Sequence, residues 1–456
     1  MNSEITFLSS QSYLIITFGC QMNKSDSERV AGMLEALGAE PALSPEQADI
    51  IIFMTCCVRE AADERLYGQL ASLKNSGALI AVGGCIGQRD AQQLQVQMPH
   101  VDVVFGTHNI ANLPMLLRQA RETRKPVVEV LDNEAARNAD EFLNGPDTPV
   151  AREQFWHAWL PIMSGCDNYC SYCIVPYVRG HEHSMPFEDV VREATHLVED
   201  GVSEITLLGQ NVNSYGRDLY GEPRFAELLH ALGALEIKRL RFATSHPKDL
   251  LPETIQAFAE LPACMPALHL PVQSGSNRIL AAMNRRYTAE HYLGLISEVR
   301  RACKKAGKEP IAFSTDIIVG YPGETAEDFA ATLELVKTVG YAQVFTFIYS
   351  KREGTPAAQL TDDTPRAVIQ ERFDQLVELV QESAWSFNQQ FLGCTLPVLF
   401  EGASKRDAQM LTGRAPGNQT VHAPLPARLS ISDFTGKLLP VTINTAKTWY
   451  LRGELN

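Results

Sequence analysis

Six short apolar runs recur through the middle of the chain, at 158–163, 203–208, 238–243, 266–271, 312–319 and 342–348, and helical patterns separate most of them. Strands alternating with helices in this way predict parallel βα units, here an open or partial (βα)6 barrel. Ligands of such barrels bind at the face where the strands end. The first run leads into Cys166-Asp-Asn-Tyr-Cys170-Ser-Tyr-Cys173. The predicted fold therefore carries three closely spaced thiols on its reactive face.

Thiolates spaced C-x3-C-x2-C can hold three corners of a cubane [4Fe-4S] cluster. The fourth iron then lacks a protein ligand, whereas ferredoxins supply a fourth cysteine. An iron with an open position can bind and reduce a small molecule. Zinc is the competing reading, but a structural zinc takes four ligands, and its cysteines come in paired C-x2-C units. No partner pair follows Cys173. Ligand number and type favour the cluster.

Residues ahead of 130 also alternate apolar runs with helical patterns. Tyr13–Phe18, Asp49–Thr55, Leu79–Gly83 and Val101–Phe105 read as strands of a parallel α/β sheet. Cys20, Cys56 and Cys85 each follow the end of one of the first three. Such ends share one edge, where ligands bind. A buried free thiol is a common fate for one cysteine, but three in register at one edge argue for a shared ligand. Cys57 is expected to point away from Cys56 by strand alternation and to serve packing.

A polar stretch from Asp132 to Val150 reads as a linker or crossing segment. Domains are expected at 1–150, 151–390 and 391–456. Residues 365–390 predict a long amphipathic helix, with Val368, Phe373, Leu376, Val380 and Trp385 on its apolar stripe. Beyond Leu392, the runs Thr395–Phe400, Thr420–His422, Pro440–Ala446 and Trp449–Arg452 predict a small antiparallel β-barrel. Seven Lys and Arg face four Asp and Glu from Phe391 to Asn456, while the whole chain carries −14. A basic tail on an acidic body suits a protein that grips a polyanion at one end. The apolar run Leu14–Phe18 is too short for a membrane span and no basic residue precedes it, so neither a span nor a signal peptide is expected. Ten cysteines then read as metal or redox chemistry in the cytoplasm before disulfides.

With these residues in view, the chain resembles the radical S-adenosylmethionine (SAM) methylthiotransferases over essentially its full length. The N-terminal part of the match is Phe18-Gly-Cys20-Gln-Met-Asn23-Lys-Ser-Asp26-Ser-Glu28-Arg29, Thr55-Cys56-Cys57-Val58-Arg59-Glu60 and Gly84-Cys85-Ile-Gly-Gln88. In the middle it is the three-cysteine loop, Leu208-Gly-Gln-Asn-Val-Asn213, Ser245-His-Pro247, His269-Leu-Pro-Val-Gln273, Met283-Asn-Arg-Arg-Tyr287 and Ser314-Thr-Asp316 through Gly323. The Gly-Cys-Gln-Met-Asn start resembles the branch acting on N6-isopentenyladenosine beside the tRNA anticodon. Gly-Cys-Pro-Lys-Asn and Gly-Cys-Lys-Val-Asn starts mark the ribosomal-protein and threonylcarbamoyladenosine branches.

The resemblance implies a methylthio transfer to C2 of that adenosine in the anticodon stem-loop. The C2–H bond is too strong and too weakly acidic for a general base, which explains the need for a radical. By the resemblance, Cys166, Cys170 and Cys173 hold a cluster whose open iron is chelated by SAM, the source of a 5′-deoxyadenosyl radical. Cys20, Cys56 and Cys85 hold an auxiliary [4Fe-4S] cluster where sulfur is methylated by a second SAM. SAM contacts are expected from Tyr172, Gly209, Gln210, Asn211, Ser245, Gln273 and Asp316. RNA phosphate contacts are expected from Arg179, Lys405, Arg406 and Arg414. No side chain is assigned as catalytic. An external electron donor and a monomeric, cytoplasmic enzyme complete the expectation. The chain departs from the family pattern at His181 and Met185, where arginines are usual, at Met54 for Asn, at Ser164 for Glu and at Cys57 for Ser or Ala. Two alternatives remain at this point: a different substrate (threonylcarbamoyladenosine in tRNA or a ribosomal-protein aspartate), or a zinc-stabilised RNA-binding module.

Overall fold

The computed structural model describes residues 8–57, 60–131 and 148–456. The stretch read as a linker lies outside the described residues up to position 147, as do Val58 and Arg59. Strands β1 (Ser12–Thr17), β2 (Glu40–Pro41), β3 (Ile50–Thr55), β4 (Leu79–Gly84), β5 (Val103–Phe105) and β6 (Val127–Glu129) form one parallel sheet in the order β2-β1-β3-β4-β5-β6. The central strand Ile-Ile-Ile-Phe-Met-Thr is buried at every position. A parallel strand covered on both faces needs such an unbroken apolar run. Thr17 pairs with Met54 and Thr55 with Gly84. The ends of β1, β3 and β4 therefore share the edge that carries Cys20, Cys56 and Cys85.

Six parallel strands make the middle of the chain. β7 (His157–Pro161) is followed by the short antiparallel pair β8 (Met163–Ser164) and β9 (His183–Ser184), then β10 (Glu204–Leu208) and β11 (Arg239–Phe242). The sheet β11-β10-β7 meets a second sheet, β12 (Ala267–His269), β13 (Ala312–Val319) and β14 (Gln343–Ile348), through the bridge between Leu240 and Cys264. This is the open βα barrel expected from the sequence. Its core includes Leu160, Ile205, Leu207, Leu240, Phe313 and Ile317.

His157 on β7 is buried, with Nε2 3.1 Å from Thr206 Oγ1. Burial pulls its pKa down to about 4, so the folded protein holds it neutral. On acidification the unfolded chain takes up the proton first. This contribution to stability is complete above about pH 6.5 and is lost progressively down to about pH 4. The loss amounts to about 3 kcal/mol. Denaturant unfolding of the parent and of His157→Gln checks this: the gap between them at neutral pH should shrink by about that amount near pH 4.5. A gap independent of pH would refute it.

The helix Arg366–Gln389 leads to a closed barrel of β15 (Thr395–Ser404), β16 (Asp407–Arg414), β17 (Thr420–Pro424), β18 (Leu438–Ala446) and β19 (Tyr450–Leu455), in the order β15-β16-β17-β19-β18. It is antiparallel except where β17 runs parallel to β19. Two expectations need correction. The buried helix stripe runs Leu376, Val380, Ala384 and Phe387, whereas Val368 is partly exposed and Trp385 is 51% exposed. Position 385 lies about 100° around the helix from 384 and leaves the face. Strand β16 also went unread, because only Leu411 and Gly413 of Asp-Ala-Gln-Met-Leu-Thr-Gly-Arg are fully buried. The barrel is tied to β11 by Arg239, which donates to Arg414 O (2.8 Å) and Pro397 O (2.5 Å), and by Arg241, which donates to Pro416 O (3.0 Å).

Candidate cluster and cofactor site

The three-cysteine loop is fixed by hydrogen bonds from several elements. Cys166 N donates to Gly180 O (3.0 Å) and Cys173 N to Cys170 O (2.9 Å). Ser171 N donates to Met283 O (3.0 Å), and Ser171 Oγ meets Ala282 O and the Tyr321 hydroxyl, both at 2.9 Å. The Arg285 guanidinium is buried against this loop, with Nη1 3.6 Å from Cys170 Sγ. It also donates to Pro271 O (2.7 Å) and the Tyr287 hydroxyl (2.8 Å). Burial pushes the Cys166 and Cys173 thiols up to about 12. Free thiols there stay protonated, and coordination to iron would deprotonate them.

Around the loop, the barrel strands end in polar groups left without protein partners. Gln210 Oε1, Asn211 Oδ1, Asn213 Nδ2, Ser245 Oγ, His246 Nε2 and the Tyr349 hydroxyl are buried and unsatisfied. Buried polar atoms of folded proteins are nearly always paired, so six orphans at the strand ends mark a seat for a polar ligand. Asn211 Nδ2 donates to Asp249 Oδ2 (2.8 Å), which fixes the amide with its unpaired Oδ1 as an acceptor for a ligand. A Cβ at Gly209 would stand 2.6 Å from Met163 Cγ, which explains glycine there without a cofactor. Gln273 takes φ +71 and its N–H donates to Asp316 O (2.9 Å). The Asp316 carboxylate lies 3.6 Å from His269 Nε2. Tyr172 packs beside Ile279, Met283 and Tyr321, and burial among the loop thiols raises its hydroxyl pKa.

A second thiol group meets at the edge of the first sheet. Cys20 caps the helix Gln21–Ala36, and Cys85 opens the helix Cys85–Gln97. Helix N-termini favour thiolate. A side chain at Gly19 would stand 2.7 Å from Cys56 Sγ, and its φ of +104 is one that only glycine adopts freely. Cys20 is lowered to about 6, first by a hydrogen bond from the Cys56 thiol and then by the Arg179 cation. Cys85 is lowered to about 7 by a hydrogen bond from the Cys57 thiol and by Arg179. Cys57 is fully buried in the apolar cluster of Phe18, Phe53, Ile86 and Val104, as expected of a packing residue, but it lies beside Cys85 rather than turned away from the site. Strand β3 ends at Thr55, so alternation does not extend to residue 57.

Arg179 also differs from expectation. It is buried, with Nη2 2.8 Å from Asp26 Oδ2 and 3.0 Å from Asn23 Oδ1. A guanidinium so enclosed cannot reach an RNA phosphate; it faces the Cys20 and Cys85 thiols instead. Met185 and Met54 are core residues. Lys405 and Arg406 occupy the two-residue tip between Ser404 and Asp407 and are exposed. Arg414 Nε pairs with Glu401 Oε1 at 3.1 Å while the side chain stays 39% exposed. Arg285, Asn23 and His246 were not singled out from sequence, although all three stand inside the matching runs.

Both thiol sets suit iron–sulfur ligation: three sulfurs each, with a buried arginine beside them to offset negative charge. Among the described residues, no three His, Cys, Asp or Glu side chains close on a single metal-ion position. A cubane makes a different demand, one thiolate per iron.

The sequence profile of the Radical SAM superfamily matches residues 160–336, and that of Uncharacterized protein family UPF0004 matches residues 12–106. The tRNA-2-methylthio-N(6)-dimethylallyladenosine synthase of Carboxydothermus hydrogenoformans is 44% identical across 98% of this chain and 100% of its own. The synthase of the same name from Clostridium tetani is 45% identical across 97% and 96%. That from Acidothermus cellulolyticus is 48% identical across 90% and 82%. Among solved structures, the radical S-adenosylmethionine methyltransferase TsrM from Kitasatospora setae aligns with a TM-score of 0.56 at 13% identity, over 76% of this chain and 77% of that one. That likeness shows the fold alone. The near full-length relatives and the two matched segments show that the chain belongs to the radical SAM methylthiotransferases, with the tRNA-2-methylthio-N(6)-dimethylallyladenosine synthases as its family.

Proposed function

We infer that the protein transfers a methylthio group to C2 of N6-isopentenyladenosine beside the anticodon of tRNA. One observation carries the reading beyond family membership: the two thiol sets are neighbours. Arg179, beside Cys20 and Cys85, is six residues on from Cys173. The intervening Ile174 and Val178 are buried against the first sheet, and Val178 O accepts from Thr107 Oγ1 at 2.5 Å. Six residues of chain span at most about 20 Å. Two cofactor sites that close can serve one base.

Cys166, Cys170 and Cys173 would hold one [4Fe-4S] cluster, and Cys20, Cys56 and Cys85 the other. When bound, these clusters and SAM supply the radical that attacks C2 and the methylated sulfur that replaces its hydrogen. The protein's part is to hold and orient. Arg285 and Arg179 offset negative charge on the thiolates, which a low-dielectric interior otherwise penalises. The orphaned atoms of Gln210, Ser245 and His246 would bind the polar groups of SAM. The exposed pair Lys405 and Arg406 suits phosphate contact, which positions an RNA without reading its sequence.

The protein needs an electron from an external donor, and a monomer in the cytoplasm is the simplest form of the enzyme. Among the described residues no helix is long and apolar enough to cross a membrane. Mass spectrometry of tRNA nucleosides from a deletion strain tests the function. The methylthio-isopentenyl nucleoside should disappear and its isopentenyl precursor accumulate. An unchanged profile would overturn the reading.

A further inference from the structure

We propose that His269 and Asp316, on the inner wall of the open barrel, hold the N6–H/N7 edge of the target adenine. The proposal rests on the reading of N6-isopentenyladenosine in tRNA as substrate. Strand alternation puts both side chains on that wall. Leu268, Phe313, Ile317 and Val344 share a core with Val299, Phe329 and Leu376 of the covering helices. The residues between them on each strand therefore face the lumen. In register, His269 pairs with Ser314 and Asp316 with Phe345, so these four side chains form one patch across β12, β13 and β14. The same face begins at Ala267 and Ala312, which pack against the core of the C-terminal barrel. That barrel covers the strand starts, and a ligand enters from the strand ends, where the three-cysteine loop lies.

The patch offers a donor beside an acceptor. Ser314 Oγ lies 3.0 Å from His269 Nδ1; with the hydroxyl donating there, Nε2 carries the ring proton. Nε2 stands 3.6 Å from Asp316 Oδ2, too far for a direct hydrogen bond to saturate either group. The two side chains are 24% and 28% exposed, so both still face open space. The Phe345 ring, 5.9 Å from the imidazole and at 78° to it, is 37% exposed. An N6-alkylated adenine carries the complementary edge, because its alkyl group turns away from the five-membered ring and leaves N6–H beside N7. Asp316 would accept from N6–H and His269 Nε2–H would donate to N7, as Asn and Gln do when they read adenine. Phe345 would pack against the base, as aromatic side chains do with unstacked RNA bases. Guanine puts an acceptor where N6–H stands and would meet the carboxylate with repulsion. The grip also orients the chemistry. Asp316 and Phe345 lie three residues before the ends of β13 and β14, and C2 is on the side of the base opposite N7. A base held there by N6–H and N7 turns C2 back to the barrel mouth.

The test compares two synthetic anticodon stem-loops, one carrying N6-isopentenyladenosine and the other its 7-deaza analogue, in which C–H replaces N7. Full-length, anaerobically reconstituted protein is used; Kd is read by fluorescence anisotropy, beside kcat/KM for methylthio transfer. With the parent, the 7-deaza loop should bind and react about tenfold worse, the loss of one hydrogen bond. In His269→Ala both loops should fall to that lower level, and the difference between them should vanish. Asp316→Leu should cost tenfold or more, and Asp316→Asn less, since an amide oxygen still accepts from N6–H. KM for SAM should stay within about twofold of the parent's in His269→Ala. Equal binding and turnover of the two loops by the parent would overturn the proposal, whether or not the variants fold. A raised KM for SAM in His269→Ala would give this wall to the cofactor and overturn it likewise. A parent that cleaves SAM but does not modify the isopentenyladenosine loop would refute the substrate reading and the proposal with it.

Discussion

Replacing Arg179 with methionine is expected to destabilise the fold by roughly 3–5 kcal/mol and to strip iron from the auxiliary site. Asp26 and Arg179 are buried together at 2.8 Å, with side chains 8% and 7% exposed. Removing the cation leaves a carboxylate enclosed without its partner, which costs far more than the ion pair itself contributes. Coulomb attraction to Asp26, Cys85 and Cys20 holds the guanidinium charged against the opposing effect of burial. Removing both partners, in Arg179→Met with Asp26→Leu, should recover most of the stability, since an apolar pair of similar size is tolerated. Iron should remain low in the double variant, because Cys20 and Cys85 still lack their cation. Denaturation of the metal-free proteins measures the first effect, and iron per chain after reconstitution the second. If the double variant recovered iron along with stability, Arg179 would be only the partner of Asp26.

The same residue marks the limit of what sequence conveys. Cys166, Cys170 and Cys173 were legible because a cluster needs its thiols at close spacing on one loop. Cys20, Cys56 and Cys85 were legible because parallel strand ends share an edge, and each cysteine follows such an end. Arg179 carries no comparable signal: its partners Asp26 and Asn23 lie 153 and 156 residues away. An arginine that opens the polar run Arg179-Gly-His-Glu-His-Ser reads as a surface cation until its neighbours are known. Cys57 was misplaced by carrying the period of two past Thr55, where the strand ends. Trp385 was put on the buried stripe because apolar spacing alone could not separate it from Ala384, whose small side chain faces inward. Arg285 lay in a run already noted, but only folding shows that it stands against Cys170.

The open βα barrel followed from the alternation of runs and helices, whereas the closing details of the tail did not. Lys405 and Arg406 were read as phosphate contacts without the strand that presents them. Ser404 pairs with Asp407, so the two cations form the tip of a hairpin, with β15 and β16 as its arms. Placement at a tip leaves both side chains open to a polyanion and makes them costly in no other respect. Arg414, by contrast, shares its charge with Glu401. A contribution to RNA binding is therefore expected from the tip before Arg414.

Cys170→Ala and Cys85→Ala are expected to fail in different ways, and the difference tests the division of labour between the two sites. Each variant should retain about half of the parent's iron, since each removes one ligand of one cluster. Cys170→Ala removes the sulfur that meets Arg285 and should abolish reductive cleavage of SAM. Cys85 opens a helix at the edge of the first sheet and is no part of the three-cysteine loop, so its loss should leave cleavage measurable. Methylthio transfer should vanish in both, because radical formation and sulfur supply are each required. Cys57 adds a complication specific to this chain, since its buried side chain lies beside Cys85 and would offer sulfur in place of a lost ligand. Cys85→Ala with Cys57→Ala closes that route and should fix the iron at about half. Iron and sulfide analysis, with 5′-deoxyadenosine release followed by chromatography, reads all these outcomes. Loss of all iron in either single variant, or cleavage abolished equally by both, would show that the two sets of thiols do not act as separate centres.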